Sequence, residues 1–275
     1  MTGIACVQMA PVFGDVDGNR ERAAQAIDAA AGGGADIVVL PELCVTGYAF
    51  ADESEARELG EPADGPTLAQ WRELAAAHHV VIVGGFCELD DAGSPRNSAL
   101  IVDHDGSSCV YRKTHLWDRE QLIFLAGTAP APVVDTSAGR IGVAICYDTF
   151  FPEVMRGLAL AGAELIAVPM NSPIIEAPTA PLAVEVVLAL AAAHVNRVYV
   201  AQADRAGRER GIEWANASVI CDPDGRLLAG PESGPAILST TCELARARDK
   251  TLGPRNDIFA DRRPALYDRP HHAHQ

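Results

Sequence analysis

Short apolar runs alternate along the chain with alanine-rich stretches whose apolar residues recur at helical spacing, a strand–helix rhythm. Ile4–Met9 predicts a strand, and Asn19–Ala31 a helix stopped by Gly32, Gly33 and Gly34. A second strand at Ile37–Leu40 leads to a helix near Thr67–His78 and a strand at Val80–Phe86. Asn97–Val102 and Ser108–Tyr111 flank Asp103-His-Asp-Gly106, a turn signal that predicts a hairpin. An apolar run from Gly139 closes at Cys146 and gives way to a helix near Pro152–Ala161. A strand at Glu164–Pro169, a long helix near Leu182–His194 and a strand at Val198–Ala201 follow. Ala217–Cys221 and Leu227–Leu228 then flank a second turn, Asp222-Pro-Asp-Gly225. The mixture of βα units and hairpins implies mixed sheets with helices packed outside them. Ala126–Pro132 is rich in Pro and Ala but leads straight back into strand pattern. Residues 1–275 therefore read as one domain, with an extended tail from about residue 245.

Composition narrows the class of partner more than the fold. The chain has 275 residues, 48% apolar and 21% charged, an ordinary globular balance. A chain of this size buries about 75% of its unfolded surface and needs no staples. Its formal charge of −15 repels nucleic-acid backbones and anionic lipid, so charge-driven binding to either is not expected. The seven cysteines show no Cys-x-x-Cys pair and no zinc-like spacing, and no metal or other cofactor is expected. The amino-terminal segment has no basic region ahead of its apolar run, and no run is long enough to span a bilayer. Free thiols and a cytoplasmic location are the expectation. His271, His272 and His274 read as a terminal tail rather than a metal site.

Three strands share an ending in a reactive group. Ile37-Val-Val-Leu40 runs into Pro41-Glu42, Val110-Tyr-Arg into Lys113, and Gly139–Ile145 into Cys146. Each group has an ordinary reading: a solvated acid, a surface lysine, a core thiol. A cysteine nucleophile, however, needs a base for its proton and a fixed cation for the oxyanion of a tetrahedral intermediate. Glu, Lys and Cys at equivalent strand ends would supply both. The N–H groups after Cys146, at the start of the coming helix, would also favour a thiolate. Spacing alone does not bring the three together.

Three segments resemble the nitrilase superfamily of carbon–nitrogen hydrolases. They are Pro41-Glu42 with Thr46-Gly47-Tyr48, Tyr111-Arg-Lys113-Thr-His115-Leu116, and Cys146-Tyr147-Asp148 with Phe151-Pro152-Glu153. The resemblance runs from the first strand to about Gly225. It implies a four-layer αββα sandwich and a Glu-Lys-Cys triad. In that setting Glu42 is the general base for Cys146, and Lys113 stabilises the tetrahedral intermediates with the backbone N–H of Tyr147. Glu120, in Trp117-Asp-Arg-Glu120, matches a further family glutamate that holds the substrate amide in line. His115 is expected to position the lysine loop rather than transfer protons. The family often has glycine where Asn216 stands, a departure that bears on local backbone geometry.

The resemblance also bears on substrate. Cys-Tyr-Asp is similar to the amidase branches, whereas true nitrilases typically carry Cys-Trp-Glu. Branches acting on ω-amides of dicarboxylic acids commonly show Arg before Phe-Pro-Glu, and an aminovaleramide-type branch an acid. Phe150 can pair with neither charge, which implies a neutral, short amide. The aminovaleramide-type pattern in Tyr111–Leu116 and Leu158–Leu165 keeps a cationic substrate open. Tyr48 and Asn171 are expected to border the pocket with Tyr147. The expected activity is cysteine-dependent hydrolysis of a small primary amide through a thioester on Cys146. The alternatives are an N-carbamoyl hydrolase and a catalytically silent binding protein. Homo-oligomers, dimers or larger, are expected on the resemblance.

Overall fold

The computed structural model describes residues 1–175 and 181–267; the histidines of the tail lie outside them. The first part runs β1 (Thr2–Gln8), α1 (Val16–Gly32), β2 (Ile37–Val39), α2 (Glu53–Leu59) and β3 (Glu61–Pro62). It continues through α3 (Pro66–His78), β4 (Val81–Leu89), β5 (Pro95–Val102) and β6 (Ser108–Arg112). Next come β7 (Val133–Thr136), β8 (Gly139–Val143), α4 (Pro152–Leu160), β9 (Leu165–Pro169) and α5 (Val184–Asn196). The last stretch holds β10 (Tyr199–Ala203), the short pair β11 (Arg208–Glu209) and β12 (Ile212–Glu213), then β13 (Val219–Cys221), β14 (Leu227–Ala229) and β15 (Ala236–Cys242).

Two sheets result. One has the order β15-β1-β2-β4-β5-β6, with β3 added beside β4; the other has β14-β13-β10-β9-β8-β7. In each, parallel strands occupy the middle (β1, β2 and β4; β8, β9 and β10) and antiparallel strands close the edges. Side-chain alternation along each strand decides the layering. Ile4, Cys6, Val39 and Val83 of the first sheet meet Ile141, Val143, Leu165 and Ala201 of the second in one inner core. Their neighbours Ala5, Val7, Val38 and Ile82 face outward against Ile27 of α1 and Trp71 of α3. Ala144, Ile166, Val168 and Val200 face outward against Leu158 of α4 and Ala189 of α5. The layers are therefore helix, sheet, sheet, helix, the αββα sandwich. Because both faces of each sheet are covered, the central strands are apolar throughout, which is why their sequence reads as continuous runs.

Several elements escaped the sequence pattern, α2 and β15 the longest of them. Glu53–Leu59 is a helix of mostly exposed residues, capped by the Asp52 carboxylate on the Glu55 N–H. Ala236–Cys242 is an edge strand paired antiparallel with β1. Its apolar residues are diluted by Ser239, Thr240 and Thr241 because only one of its faces is buried. Beyond it, Leu244 and Ala247 reach back into the inner core.

Candidate active site

The parallel strands bring Glu42 and Cys146 to one edge of the sandwich. Glu42 follows β2 and is fully buried. Its loop approaches β4 so closely that a Cβ on Gly85 would lie 2.5 Å from the Glu42 Cα. Glycine there lets Gly85 donate to the Pro41 carbonyl at 3.0 Å and accept from the Cys44 N–H at 3.0 Å. Lys113 continues directly from β6, its N–H bonded to the Asn97 carbonyl at 2.9 Å. Since β6 runs antiparallel to β5, and β5 to β4, the end of β6 and the start of β5 lie at the same edge as the end of β2.

The second sheet supplies Cys146 and Asn171, and both are tied to the Glu42 loop. The Asn171 side-chain amide donates to the Glu42 carbonyl at 2.7 Å, and the Cys146 thiol to the Asn171 carbonyl at 3.5 Å. The thiol lies three residues beyond the end of β8, at the head of a short 3-10 turn, Cys146–Phe150. Its φ of 43° is in the left-handed region, as are those of Leu43, beside Glu42, at 47° and Asp118, near Glu120, at 42°. Backbone strain of this kind costs about 1–3 kcal/mol per residue and collects at functional sites.

Lys113 is the hub. Its Nζ donates to Glu42 Oε1 at 2.7 Å and to both Glu120 oxygens at 2.9 Å, with all three side chains buried. Glu120 also accepts the Tyr48 hydroxyl at 2.6 Å and the Trp117 N–H at 3.1 Å. Asn97, which the sequence did not single out, donates from its amide to Glu42 Oε1 at 2.7 Å. Oε2 of Glu42 is buried without a partner among the described residues, so it keeps an acceptor free.

Burial pushes the Glu42 carboxyl up; Lys113 pulls it down, Glu120 pushes again, and the balance stands at about 7. Burial alone would lower the Lys113 ammonium, but the charges of Glu120 and Glu42 outweigh it and hold its pKa well above the usual range. Burial, then the charge of Glu42, push the Cys146 thiol well above its ordinary value in spite of Lys113. The N–H groups after Cys146, which favour a thiolate, are thus outweighed. The turn after Cys146 is a single 3-10 turn rather than a helix, and two carboxylates face one cation. The cysteine rests as a thiol, beside a carboxyl poised to titrate near neutrality.

Asp148, named in the sequence only as part of the Cys146-Tyr147-Asp148 motif and given no role there, is a second organiser. Fully buried, it accepts from the Tyr111 hydroxyl at 2.9 Å, the Thr114 hydroxyl at 3.2 Å and the Ile145 N–H at 3.0 Å. It also holds His115 through the backbone N–H at 3.2 Å and Nδ1 at 2.7 Å, tying the lysine loop to the cysteine turn. The His115 ring stacks on Phe151 at 3.7 Å. Its recorded partners, Thr114 and Asp148, fit a positioning role. Asn216 adopts φ 52°, a conformation that asparagine accepts more readily than most residues and that a glycine would also take.

Two cavities meet at Trp117, Pro173 and Ile175. One of about 200 Å³ holds Cys146 and is walled by Tyr147, Phe150, Asn171 and Val184. The other, of about 720 Å³, is bounded by Tyr48, Glu120 and Arg210. Every residue expected at the site from sequence therefore lines one of these cavities or belongs to the hydrogen-bonded cluster behind them. Glu185, on the wall of the smaller cavity, had no signal in the sequence beyond its place at the start of a helix. A buried base, a buried cation and a thiol around a small cavity are the parts that nucleophilic attack on a carbonyl-type carbon requires.

Comparison with known proteins agrees. The family described as carbon-nitrogen hydrolase matches residues 3–250. A nitrilase of Pyrococcus abyssi is 37% identical over 98% of this chain and 100% of its own length. An (R)-stereoselective amidase of Pseudomonas sp. is 32% identical over 96% of this chain and 92% of its own. The crystal structure of an amidase from Nesterenkonia sp. superposes with a TM-score of 0.79 at 24% identity, covering 97% of this chain and 95% of that one; it shares the fold. No helix among the described residues is long and apolar enough to cross a membrane. The chain belongs to the carbon–nitrogen hydrolases of the nitrilase superfamily and is a hydrolase acting on carbon–nitrogen bonds.

Proposed function

We propose that this protein hydrolyses a small primary amide to its carboxylic acid and ammonia through a thioester on Cys146. The observation that carries the reading is the Glu42–Lys113–Glu120 cluster at the edge where Cys146 enters a cavity of about 200 Å³. Glu42, with a free Oε2, takes the thiol proton as sulfur attacks the amide carbon. The oxyanion falls to Lys113 and to the N–H of Tyr147, the second residue of the 3-10 turn, which has no partner within it. Collapse of the tetrahedral intermediate breaks the C–N bond, and Glu42 returns the proton to the leaving nitrogen. Water then attacks the thioester, Glu42 takes its proton, and the acid leaves as the thiol reforms. A carboxyl near 7 suits a group that accepts and returns a proton twice in each cycle.

Glu120 acts at one remove: fixed by Lys113, Tyr48 and Trp117, it holds the cation in place and lines the approach to the cavity. The small cavity and its aromatic wall of Trp117, Tyr147 and Phe150 favour a short acyl chain.

The test is ammonia release over a panel of primary amides, N-carbamoyl compounds and nitriles, with Cys146→Ala as control. Turnover of a short amide that disappears in the variant is expected. No amide turnover, or turnover that survives in Cys146→Ala, would overturn the reading.

A further inference from the structure

The wall of the cysteine cavity is apolar or aromatic at Trp117, Tyr147, Phe150, Ile175 and Val184. Apart from the Cys146 thiol and the Tyr147 phenol, the one ionisable side chain on it among the described residues is Glu185. That carboxylate is half-buried in the first turn of α5 and has no hydrogen bond or ion pair with another described residue. Structural carboxylates elsewhere in the chain are tied down. Glu209 accepts two backbone N–H groups and Arg205, and Glu164 pairs with Arg248. Glu185 differs in having no partner among the described residues and in lining the cavity that holds the nucleophile.

The surroundings share its sign. Asp204, wholly buried, accepts the N–H of Ser172, which lines the same cavity, and those of Arg205 and Ala217. Burial pushes the Asp204 carboxyl up to about 6, its three N–H bonds pull it down, and the charge of Glu185 adds to the push. Lys113, buried between Glu42 and Glu120, has its charge already matched. A second carboxylate entering this cavity with the substrate would be repelled by Glu185, whereas an ammonium group would meet an opposite charge.

We infer that Glu185 is the specificity residue of the cavity and that the substrate is a short amide bearing a cationic amino group at its far end. The amide carbon sits at Cys146 and the ammonium at the start of α5. Phe150 lines the same cavity as a neutral wall, so the charge that its position lacks comes from the helix opposite in sequence. The inference rests on the amide-hydrolase reading above. It has one competitor, that Glu185 only complements the N-terminus of α5, whose N-cap Ala183 offers no side-chain acceptor.

The experiment compares pentanamide, 5-aminopentanamide and glutaric acid monoamide on the wild-type protein at about pH 7.5, where a primary amine is charged. The expected kcat/KM is highest for the amino amide, by about tenfold or more over pentanamide, and lowest for the acid. Its KM rises with added salt, as a charge contact requires. In Glu185→Gln the ratio of amino to neutral amide falls by about tenfold. Equal kcat/KM for the two amides in the wild type, or an unchanged ratio in Glu185→Gln, overturns the inference. A variant that only lowers the melting temperature does the same, because it assigns Glu185 to the helix. Calorimetric binding of the same amides to Cys146→Ala reads the preference without turnover. Tighter binding of the amino amide there, with no amide hydrolysed by the wild type, would sustain the pocket and refute the hydrolysis. Turnover of pentanamide without an amino preference would do the reverse.

Discussion

Asn97→Leu separates the general-base role of Glu42 from its place in a buried ion pair. One oxygen of Glu42 accepts two bonds of 2.7 Å, from Lys113 and from Asn97. Leucine removes the second and leaves the first. The Asn97 carbonyl that receives the Lys113 N–H belongs to the backbone and is kept. The substitution also removes a buried Oδ1 that has no partner, so packing loses little. Hydrogen bonds to a charged acceptor are worth about 1.5–3 kcal/mol. The Asn97 amide bonds the ionised carboxylate, so its loss raises the pKa, by about 1–2 units at 1.36 kcal/mol each. The acid limb of kcat/KM, expected at about 7 in the wild type, moves to about 8–9. Activity at about pH 7 then drops roughly 5- to 50-fold and returns once the pH passes the new limb. The limb belongs to the coupled Glu42, Lys113 and Glu120 set rather than to one residue, but the direction of the shift is fixed by the lost donor. The assay is ammonia release from a neutral amide, which has no ionisation of its own in that range. A limb that stays in place while activity falls evenly at every pH would refute the argument. So would a shift to lower pH.

Two further outcomes follow from the same geometry. Asp148→Ala strands the Tyr111 hydroxyl, the Ile145 N–H and His115, so unfolding in urea should show a loss of about 3–5 kcal/mol; a loss under about 1 kcal/mol would show that the bonds are not cooperative. Because burial and the charge of Glu42 hold the Cys146 thiol up, the difference in thiolate absorbance between wild type and Cys146→Ala should be absent at about pH 8, and a clear band there would sink the resting-thiol assignment.

Much of the frame was legible along the chain. The inner strands of both sheets are covered on both faces, so β1, β2, β4, β9 and β10 announce themselves as apolar runs. The edge strand β15 does not, because only Leu238 and Cys242 of its seven residues are buried. Pro41-Glu42, Lys113 and Cys146 were recognisable through their motifs, and the strand endings gave a physical reason for reactive groups to stand there. Asn97 was not, and neither was what Asp148 does within its motif, since a polar residue in or after a strand gives no sign of its partner. Glu185 was invisible for the same reason. An acid in the first turn of a helix is ordinary, and only the fold shows that this turn opens on the cavity of Cys146.

The sequence by itself determined the alternation of buried strands and covering helices, the three reactive strand ends and the family that they resemble. Those properties are local, or repeat at short period, and a linear reading captures them. The tertiary structure decided that Glu42 accepts from Lys113, 71 positions away, and from Asn97 on one oxygen and keeps the other free. It also decided that Cys146 rests as a thiol and that a lone carboxylate faces it from α5. Protonation depends on burial and on charges a few ångströms away, and both are set by which loops the two sheets bring to one edge.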